Sequence, residues 1–368
     1  MHSVKILGAG SIGNHLAHAA RRLGWKVVLC DVDAQALVRT REQIYPSRYG
    51  HWDAAIELHQ AAEAPRGGFD LIVVGTPPDT HLPLALAALE EAPRALLVEK
   101  PLCTPSAKGA NGLEAAAELQ RRARESGIAV HVGYDHVVGR AVQAALGAAR
   151  GLGEPVTLDV EFREHWGGIF AAHPWLAGPQ DSYLGYWERG GGASGEHSHA
   201  INLWQFLAHR LGAGRVVEVS ASVEYVRDAS IDYDSLCLLH LRTEAGLLGR
   251  VVQDVVTSPP RKWARLQGHD GFVELFIGLE PGIDAVRWQV GDAVPGEERI
   301  EKTRPDDFVA ELEHLRPSLS GEAVGDELSL ERGLETMLAV AAAHCSAREG
   351  RCVRIDHEAH PSDALRVA

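Results

Sequence analysis

Short apolar runs separated by longer stretches of helical period fill the first 150 residues of the chain. The apolar runs, rich in β-branched residues, are Val4–Leu7, Val27–Cys30, Phe69–Val74, Ala95–Val98 and Ile128–Val132. The stretches with apolar positions at helical spacing are Ile12–Leu23, Leu82–Glu91 and Ser106–Ser126. Strands that alternate with helices predict βαβ units and a parallel sheet.

Beyond Pro155 the pattern changes to longer strands separated by turn residues. The predicted strands are Val156–Glu164, Val216–Val226, Ser235–Leu241, Leu247–Val256, Trp263–Gln267 and Phe272–Phe276. The predicted helices are Ser198–His209, Asp306–Leu319 and Leu328–Ala347. We therefore predict an α/β domain over residues 1–135 and an α+β domain with a large, mostly antiparallel sheet over residues 136–368. The carboxy-terminal helices are expected to pack back on the first domain.

Composition narrows the choice of partners. The 368 residues are 45% hydrophobic, enough for two buried cores, and the formal net charge is -14. No dense run of Lys and Arg occurs, which argues against nucleic acid and anionic membranes as partners. The longest apolar region, residues 71–89, is interrupted by prolines and polar residues, which argues against a membrane span. Five cysteines without a CxxC pair favour a reducing compartment, and we predict a cytoplasmic protein.

A glycine motif follows the first predicted strand and opens the first predicted helix. Its six residues, numbers 8–13, read GAGSIG, and Asp31 lies 18 positions further at the end of the second strand. Glycines there let backbone N–H groups approach a pyrophosphate, and the acid can bind the adenosine ribose. The pattern predicts a Rossmann domain that binds NAD; NADP is the alternative, because Arg39 or Arg41 could neutralise its extra phosphate. The predicted contacts are Gly8, Gly10, Ser11, Ile12, Gly13 and Asp31.

Three further motifs occur in order after the glycine motif. Residues 74–81 read VGTPPDTH, residues 99–102 read EKPL, and residues 190–192 are three glycines that lead into EHSH at 196–199. Together they resemble the Gfo/Idh/MocA family of glucose-fructose oxidoreductase and inositol dehydrogenase relatives. The resemblance covers nearly the whole chain. Its departures are Glu196 in place of the family's usual aspartate and HAIN at 199–202 where a subgroup has a pattern like HEID.

The resemblance implies a nicotinamide site and an active site. It places the cofactor beside the residues Thr76, Pro77, His81, Glu99 and Lys100. It implies that Lys100 reaches into the active site, together with an acid and a histidine after the glycines, Glu196 and His199. It also implies a homodimer or homotetramer.

Oxidation of a secondary alcohol needs a base for the hydroxyl proton while hydride leaves the same carbon. We predict His199 as the acid/base, because an imidazole titrates near neutrality. Lys100 would stabilise the substrate oxygen, and Glu196, three positions before His199 on a helix, could orient its ring. No metal is predicted, since neighbouring residues on a helix point apart and His197 and His199 therefore make a poor pair of ligands.

Aromatic and imidazole rings are concentrated between His165 and Trp204, where four of the eight tryptophans lie. Aromatic faces cover the C–H faces of sugars well. The predicted substrate contacts are His165, Trp166, Tyr186, Trp187 and His199.

These features predict NAD(P)-dependent transfer of hydride between nicotinamide and a secondary alcohol or ketone of a sugar, aminosugar, cyclitol or glycoside. Two alternatives stay open: NAD-assisted glycoside cleavage with internal cofactor recycling, and a catalytically silent NAD-binding sensor. A metal-dependent hydrolase or lyase built on Glu196, His197, His199 and His173 is a third, from a different class of enzyme.

Overall fold

The first sheet confirms the predicted parallel arrangement. The computed structural model describes residues 1–105, 111–171, 173 and 175–368. Six parallel strands in the order β3-β2-β1-β4-β5-β6 form this sheet. They are β1 Ser3–Leu7, β2 Lys26–Asp31, β3 Ile56–Gln60, β4 Leu71–Val74, β5 Ala95–Glu99 and β6 Ala129–Gly133. The edge strand β3 was not predicted, because only its first residue, Ile56, is fully buried and its apolar pattern is weak.

Helices connect these strands and cover both faces of the sheet. They are α1 Ser11–Arg22, α2 Ala34–Arg39, α3 Tyr45–Tyr49, α4 His81–Leu89 and α5 Asn111–Ser126. Strand order and right-handed crossovers of this type place the carboxyl ends of β1, β4 and β5 along one crevice. The first five residues of the predicted helix Ser106–Ser126 lie outside the described residues.

The second sheet has ten strands and is antiparallel except for one pair. Its strands are β7 Pro155–Arg163, β8 Val216–Arg227, β9 Asp232–Thr243, β10 Leu248–Asp254, β11 Arg261–Gly268, β12 Gly271–Glu280, β13 Ile283–Val290, β14 Gly296–Glu301, β15 Val353–Ile355 and β16 Leu365–Val367. The order is β14-β13-β12-β11-β7-β10-β9-β8-β15-β16, and only β7 and β10 pair in parallel. The predicted mostly antiparallel sheet is therefore confirmed.

Four helices precede or interrupt this sheet: α6 Arg140–Ala148, α7 Trp166–Ala171, α8 Gly192–Glu196 and α9 Ser198–Arg210. The helix α9 packs against β7 and β10, and Trp204 at its centre is fully buried and donates its indole N–H to the Leu158 carbonyl at 2.7 Å. This contact fixes the start of α9, and hence His199, relative to the sheet.

The last two helices join the two halves of the molecule. They are α10 Arg304–Leu315 and α11 Leu330–Glu349. The helix α10 returns to α1, and Phe308 and Leu312 lie in the same apolar core as Ile6 of β1. The helix α11 is buried on nearly all sides, between α9, β6 and β8, as the uninterrupted apolar run Met337–Ala343 at its centre dictates.

The structure was also searched for membrane-spanning helices and for disulfide bonds. In the part of the chain that the structure describes, no helix combines the length and apolarity that crossing a bilayer requires. The five cysteines are free thiols, as the absence of paired spacing predicted.

Candidate active site

The glycine turn between β1 and α1 leaves room for a nucleotide. A side chain on Gly8, whose φ is +107°, would place its Cβ 2.5 Å from the Gly75 carbonyl oxygen. A Cβ on Gly13 would lie 1.9 Å from the Gly8 carbonyl oxygen. Gly10 differs, because a Cβ there would meet no atom within 4 Å and would project into the open cleft. Gly8 and Gly13 therefore keep the turn tight, and Gly10 keeps its approach clear.

Asp31 ends β2 and braces the same turn. Its Oδ2 accepts from the Ala9 amide at 2.7 Å, and its Oδ1 accepts from the Asp33 amide at 2.9 Å. Each carboxylate oxygen can accept a second hydrogen bond, so a ribose hydroxyl can still be bound. Asp33 in turn pairs with Arg39 at 3.2 Å, which leaves less positive charge for a 2'-phosphate than an unpaired arginine would offer.

Positive charge surrounds the start of α1. Arg48 donates to the carbonyl and the hydroxyl oxygen of Ser11 at 3.0 and 2.9 Å. Arg304, at the start of α10, lines the same cleft. Burial, followed by the charges of Arg304 and Arg48, lowers the pKa of the nearby His15 to about 2. A dinucleotide pyrophosphate at the amino end of α1 would meet both the helix dipole and these cations.

The loop after β4 brings Thr76 and Pro77 to the cleft, whereas His81 lies behind them. Its ring nitrogens lie 2.7 Å from the Thr76 carbonyl and 2.9 Å from the Pro101 carbonyl. Burial lowers the pKa of His81 to about 4, so the ring is neutral and donates one of these bonds at a time. His81 thus ties the loop to the Glu99-Lys100-Pro101 segment and is absent from the cleft wall.

Lys100 and Glu196 meet on the cleft wall. The Lys100 ammonium donates to the Glu196 backbone carbonyl at 2.9 Å, and the Glu196 carboxylate lies 3.3 Å from it. Glu99 lines the cleft beside them and is almost fully buried. Burial, and then the charge of Asp135, raises the pKa of Glu99 to about 8. A lysine with an acidic partner in a partly dry cleft can hold and stabilise a substrate oxygen.

The carboxylate that lies beside His199 is Asp135, whereas Glu196 was expected there. The helix α8 ends at Glu196 and α9 begins anew at Ser198, so Glu196 and His199 do not share one helical face. The His199 Nδ1 instead lies 3.8 Å from Asp135 Oδ1, and its ring centroid lies 4.6 Å from that of His136. His199 lies behind the cleft wall, and the three sequence-predicted catalytic residues are only partly brought together.

The predicted substrate rings take structural positions. Trp166 and Trp187 are buried, Trp187 against His344 with centroids 4.3 Å apart. The Tyr186 hydroxyl donates to the Ser230 carbonyl, and His165 Nδ1 accepts from the Gly167 amide. None of the four is on the cleft wall, because each is held by contacts within its own loop or core.

Other residues of the same segment line the cleft. They are Ile169, His173, Trp175, Leu176, Ser182 and Tyr183, together with an ion pair between Glu164 and Lys262 at 3.0 Å. The sequence analysis located this ring-rich segment correctly, but the rings that it chose as substrate contacts are not the ones that line the cleft. Which rings face outward depends on how the short helix α7 and the following loop fold, and no periodic pattern in the sequence encodes this.

One continuous cleft joins the glycine turn to Lys100 and to these rings. Its volume is about 1740 Å³. Single small-molecule sites typically occupy about 300 to 1,000 Å³, so the cleft has room for a dinucleotide and a second molecule. The residues present therefore fit an NAD molecule along the glycine turn.

A family comparison decides the chemistry of the first domain. Residues 3–134 match the sequence model of GFO_IDH_MocA, described as an oxidoreductase family with an NAD-binding Rossmann fold. This match is confined to the first domain. There it confirms the predicted resemblance to the Gfo/Idh/MocA family, the oxidoreductase class and the NAD cofactor.

Solved structures similar to this chain cover both of its domains. A putative myo-inositol dehydrogenase from Sinorhizobium meliloti 1021 is 20% identical, with a TM-score of 0.72 over 97% of this chain and 100% of that one. The WlbA dehydrogenase from Bordetella pertussis, solved with NADH and UDP-GlcNAcA, is 19% identical, with a TM-score of 0.69 over 96% and 98%. Levoglucosan dehydrogenase with NADH and levoglucosan is 16% identical, with a TM-score of 0.73 over 96% and 99%.

At these identities the similarity shows the fold alone. Sequence comparison with curated proteins gives no significant match. The roles of individual residues in this protein stay predictions, and so does its substrate.

Proposed function

We propose that the protein is an NAD-dependent dehydrogenase or reductase that acts on a secondary alcohol or ketone of a neutral, carbohydrate-like molecule. The observation that carries the proposal is the position of Lys100 on the wall of a single cleft. The glycine turn, Lys100 and the rings of Trp175 and Tyr183 all line this one cleft. A substrate hydroxyl held by Lys100 would thus share the cleft with both the cofactor and the aromatic rings.

Lys100 and Glu196 carry the proposed proton chemistry. When bound, NAD accepts or donates the hydride at its nicotinamide ring. In the reductive direction the Lys100 ammonium would hydrogen-bond the carbonyl oxygen and give it a proton as the carbon takes up hydride. In the oxidative direction the neutral Lys100 amine would take the hydroxyl proton as hydride leaves. Glu196 would hold the Lys100 side chain in place. The role of His199 as acid/base is supported by the family resemblance, but it requires the ring to reach the cleft wall, which Lys100 already occupies.

The wall of the substrate region favours a polyhydroxylated, uncharged ligand. In the part of this wall that the structure describes, both lysines have carboxylate partners, Glu196 for Lys100 and Glu164 for Lys262, so neither lysine is free to bind an anionic group. Carboxylates accept from hydroxyls, ammonium groups donate to them, and Trp175 and Tyr183 offer faces for sugar C–H groups. The similar folds solved with UDP-GlcNAcA and with levoglucosan support a carbohydrate-like substrate.

The test is a substrate panel with NAD and with NADP. Sugars, aminosugars, cyclitols, glycosides and sugar nucleotides are added to the full chain, with the reduced cofactor followed by absorbance and the products by mass spectrometry. Lys100→Ala is run beside the wild type, and Lys26→Ala, an exposed strand residue remote from the cleft, is the matched control. Loss of general acid–base assistance typically lowers kcat about 10² to 10⁴-fold, and we expect this for Lys100→Ala only.

Three results are distinguishable. Reduced cofactor that accumulates with one substrate class, and is lost in Lys100→Ala alone, supports the proposal. Product without net reduced cofactor would assign the internal redox cycle instead. NAD binding without turnover of any compound in either direction would contradict a dehydrogenase and favour a sensor.

A further inference from the structure

A second polar cluster lies behind the wall that carries Lys100. It consists of Asp135 and His136, which follow β6, and of His199 in the first turn of α9. The two segments are 63 residues apart in sequence and meet because α9 packs against both β7 and the turn at residues 135–138. One oxygen of Asp135 and one nitrogen of each imidazole lie within 4.8 Å of one another.

The spacing of these atoms is too long for hydrogen bonds. The Asp135 Oδ1 lies 3.6 Å from His136 Nδ1 and 3.8 Å from His199 Nδ1. Hydrogen bonds of this kind span about 2.7 to 3.2 Å, so neither imidazole shares a proton with the carboxylate in this geometry. The Asp135 Oδ1 and the His199 Nδ1 are both buried and have no hydrogen-bond partner among the described residues. Buried polar atoms are almost always satisfied, so these two require another partner.

The same spacing suits ligands of one metal ion. Ligand atoms at about 2.1 Å from a tetrahedral or octahedral ion lie about 3.0 to 3.4 Å apart. The Asp135 oxygen, at 3.6 and 3.8 Å from the two nitrogens, is therefore only some tenths of an ångström from this spacing, and the two nitrogens lie within 4.8 Å of each other. Two imidazoles and one carboxylate form a donor set that divalent transition metals prefer, and Mg²⁺ or Ca²⁺ would require more oxygen ligands.

The surroundings supply both further oxygen atoms and access. Glu99 and Glu311 are buried nearby, and the side-chain oxygens Glu99 Oε1, Glu311 Oε1 and Glu311 Oε2 have no hydrogen-bond partner in the described chain. The cations Lys100, Lys302 and Arg304 lie close enough to act on Asp135 and oppose an added ion. The His199 side chain keeps 14% of its surface exposed, which gives an ion a path to the cluster.

We propose that Asp135, His136 and His199 form a site for one divalent transition metal ion, of the zinc, manganese or iron(II) type, directly behind Lys100. Three protein ligands leave at least one coordination position for water or for a substrate oxygen. A bound ion would make His199 a ligand and would leave Lys100 as the group that handles the substrate proton. The site does not depend on the proposed dehydrogenase activity, because ion binding requires neither substrate nor NAD.

The experiment measures metal binding by the full chain. Protein stripped by a chelator is titrated with Co²⁺, whose visible d–d absorption reports nitrogen and oxygen ligands, and with Zn²⁺ in competition with a chromophoric chelator. Asp135→Asn, His136→Gln and His199→Gln are compared with His131→Gln, a buried histidine outside the cluster that contacts Ser318. We expect one ion per wild-type and His131→Gln chain, and affinity at least about 10-fold weaker in each cluster variant, as loss of one ligand or its support produces.

A measurement on the wild type alone covers the case in which the variants do not fold. A metal that binds the native state and not the unfolded state raises the Tm by an amount that grows with ln(1 + [ion]/Kd), so a small excess of Zn²⁺ over one equivalent should raise the Tm of the stripped protein. Less than half an equivalent of bound ion, an unchanged wild-type Tm, or binding that is the same in Asp135→Asn would overturn the site. The outcome is read separately from the substrate panel, so failure of either proposal leaves the other intact.

Discussion

The two halves of the cleft are built in different ways. In the nucleotide half, the shape comes from backbone and from missing side chains: Gly8, Gly10 and Gly13 lie within six residues of one another. In the substrate half, the shape comes from side chains that arrive from distant segments, such as Lys100, Glu196 and Lys262. The first half is a local feature of one strand, turn and helix, whereas the second exists only in the folded chain.

This difference predicts different sensitivities to mutation. In the nucleotide half, a single added methyl group is expected to block either the turn or the ligand. In the substrate half, the expected losses follow from removing one partner of an ion pair, which changes charge more than shape. Four predictions test this contrast, in order of decreasing effect.

Gly13→Ala should have the largest effect. The new Cβ would lie 1.9 Å from the Gly8 carbonyl oxygen, a backbone atom that can move only with the whole turn. Overpacking of this kind costs about 1 to 3 kcal/mol or more, and we expect the upper end together with loss of NAD binding. Urea unfolding measures the change in stability, and NAD titration measures the change in affinity. A variant as stable as the wild type would show that the turn can shift to accommodate the added methyl group.

Glu196→Gln should lower kcat without lowering stability much. The substitution removes the charge opposite Lys100 but retains the backbone carbonyl that also accepts from it at 2.9 Å. We expect kcat to fall about 10 to 100-fold, a typical loss for one electrostatic partner at a reacting group. Glu164→Gln, which removes the partner of Lys262, should raise KM instead. Equal effects of the two variants on kcat would place the chemistry elsewhere in the cleft.

Gly10→Ala should weaken NAD binding and leave the fold intact. No atom lies within 4 Å of the added Cβ, and the Gly10 backbone is extended at the cap of α1. The stability cost should stay below about 1 kcal/mol, whereas the Kd for NAD should rise at least about 10-fold, equivalent to about 1.4 kcal/mol. Gly147→Ala, equally uncrowded but on α6, is the control and should bind NAD normally. Unchanged affinity in Gly10→Ala would move the pyrophosphate away from this turn.

His344→Gln should change how stability depends on pH. His344 contacts Ser194 and Tyr225, and burial lowers its pKa to about 3. Above pH 6.5 the imidazole is neutral in both states; between pH 6.5 and 3 only the unfolded state binds the proton, so stability falls as the pH falls. One such group contributes about 1.4 kcal/mol per pH unit. From pH 6 to pH 5 the variant should lose less stability than the wild type by about that amount, as urea unfolding would show. His51→Gln, at an exposed histidine, should retain the wild-type slope.

The order of the elements and the nucleotide half followed from the sequence alone. Five of the six parallel strands, the glycine turn and Asp31 were predicted, because apolar period and glycine spacing act over a few residues. The family resemblance carried by the motif around Lys100 also implied a place near the cofactor.

Only the tertiary structure decided which side chains meet. The carboxylate beside His199 is Asp135 and not Glu196, because the helix is interrupted between α8 and α9 and the turn after β6 packs against α9. Tertiary contacts also bury Trp166 against Tyr233 and Trp187 against His344, and they leave Trp175 and Tyr183 on the cleft wall. Contacts between segments more than 60 residues apart depend on the relative placement of whole elements, and the local periodicity of a sequence carries no direct record of that placement.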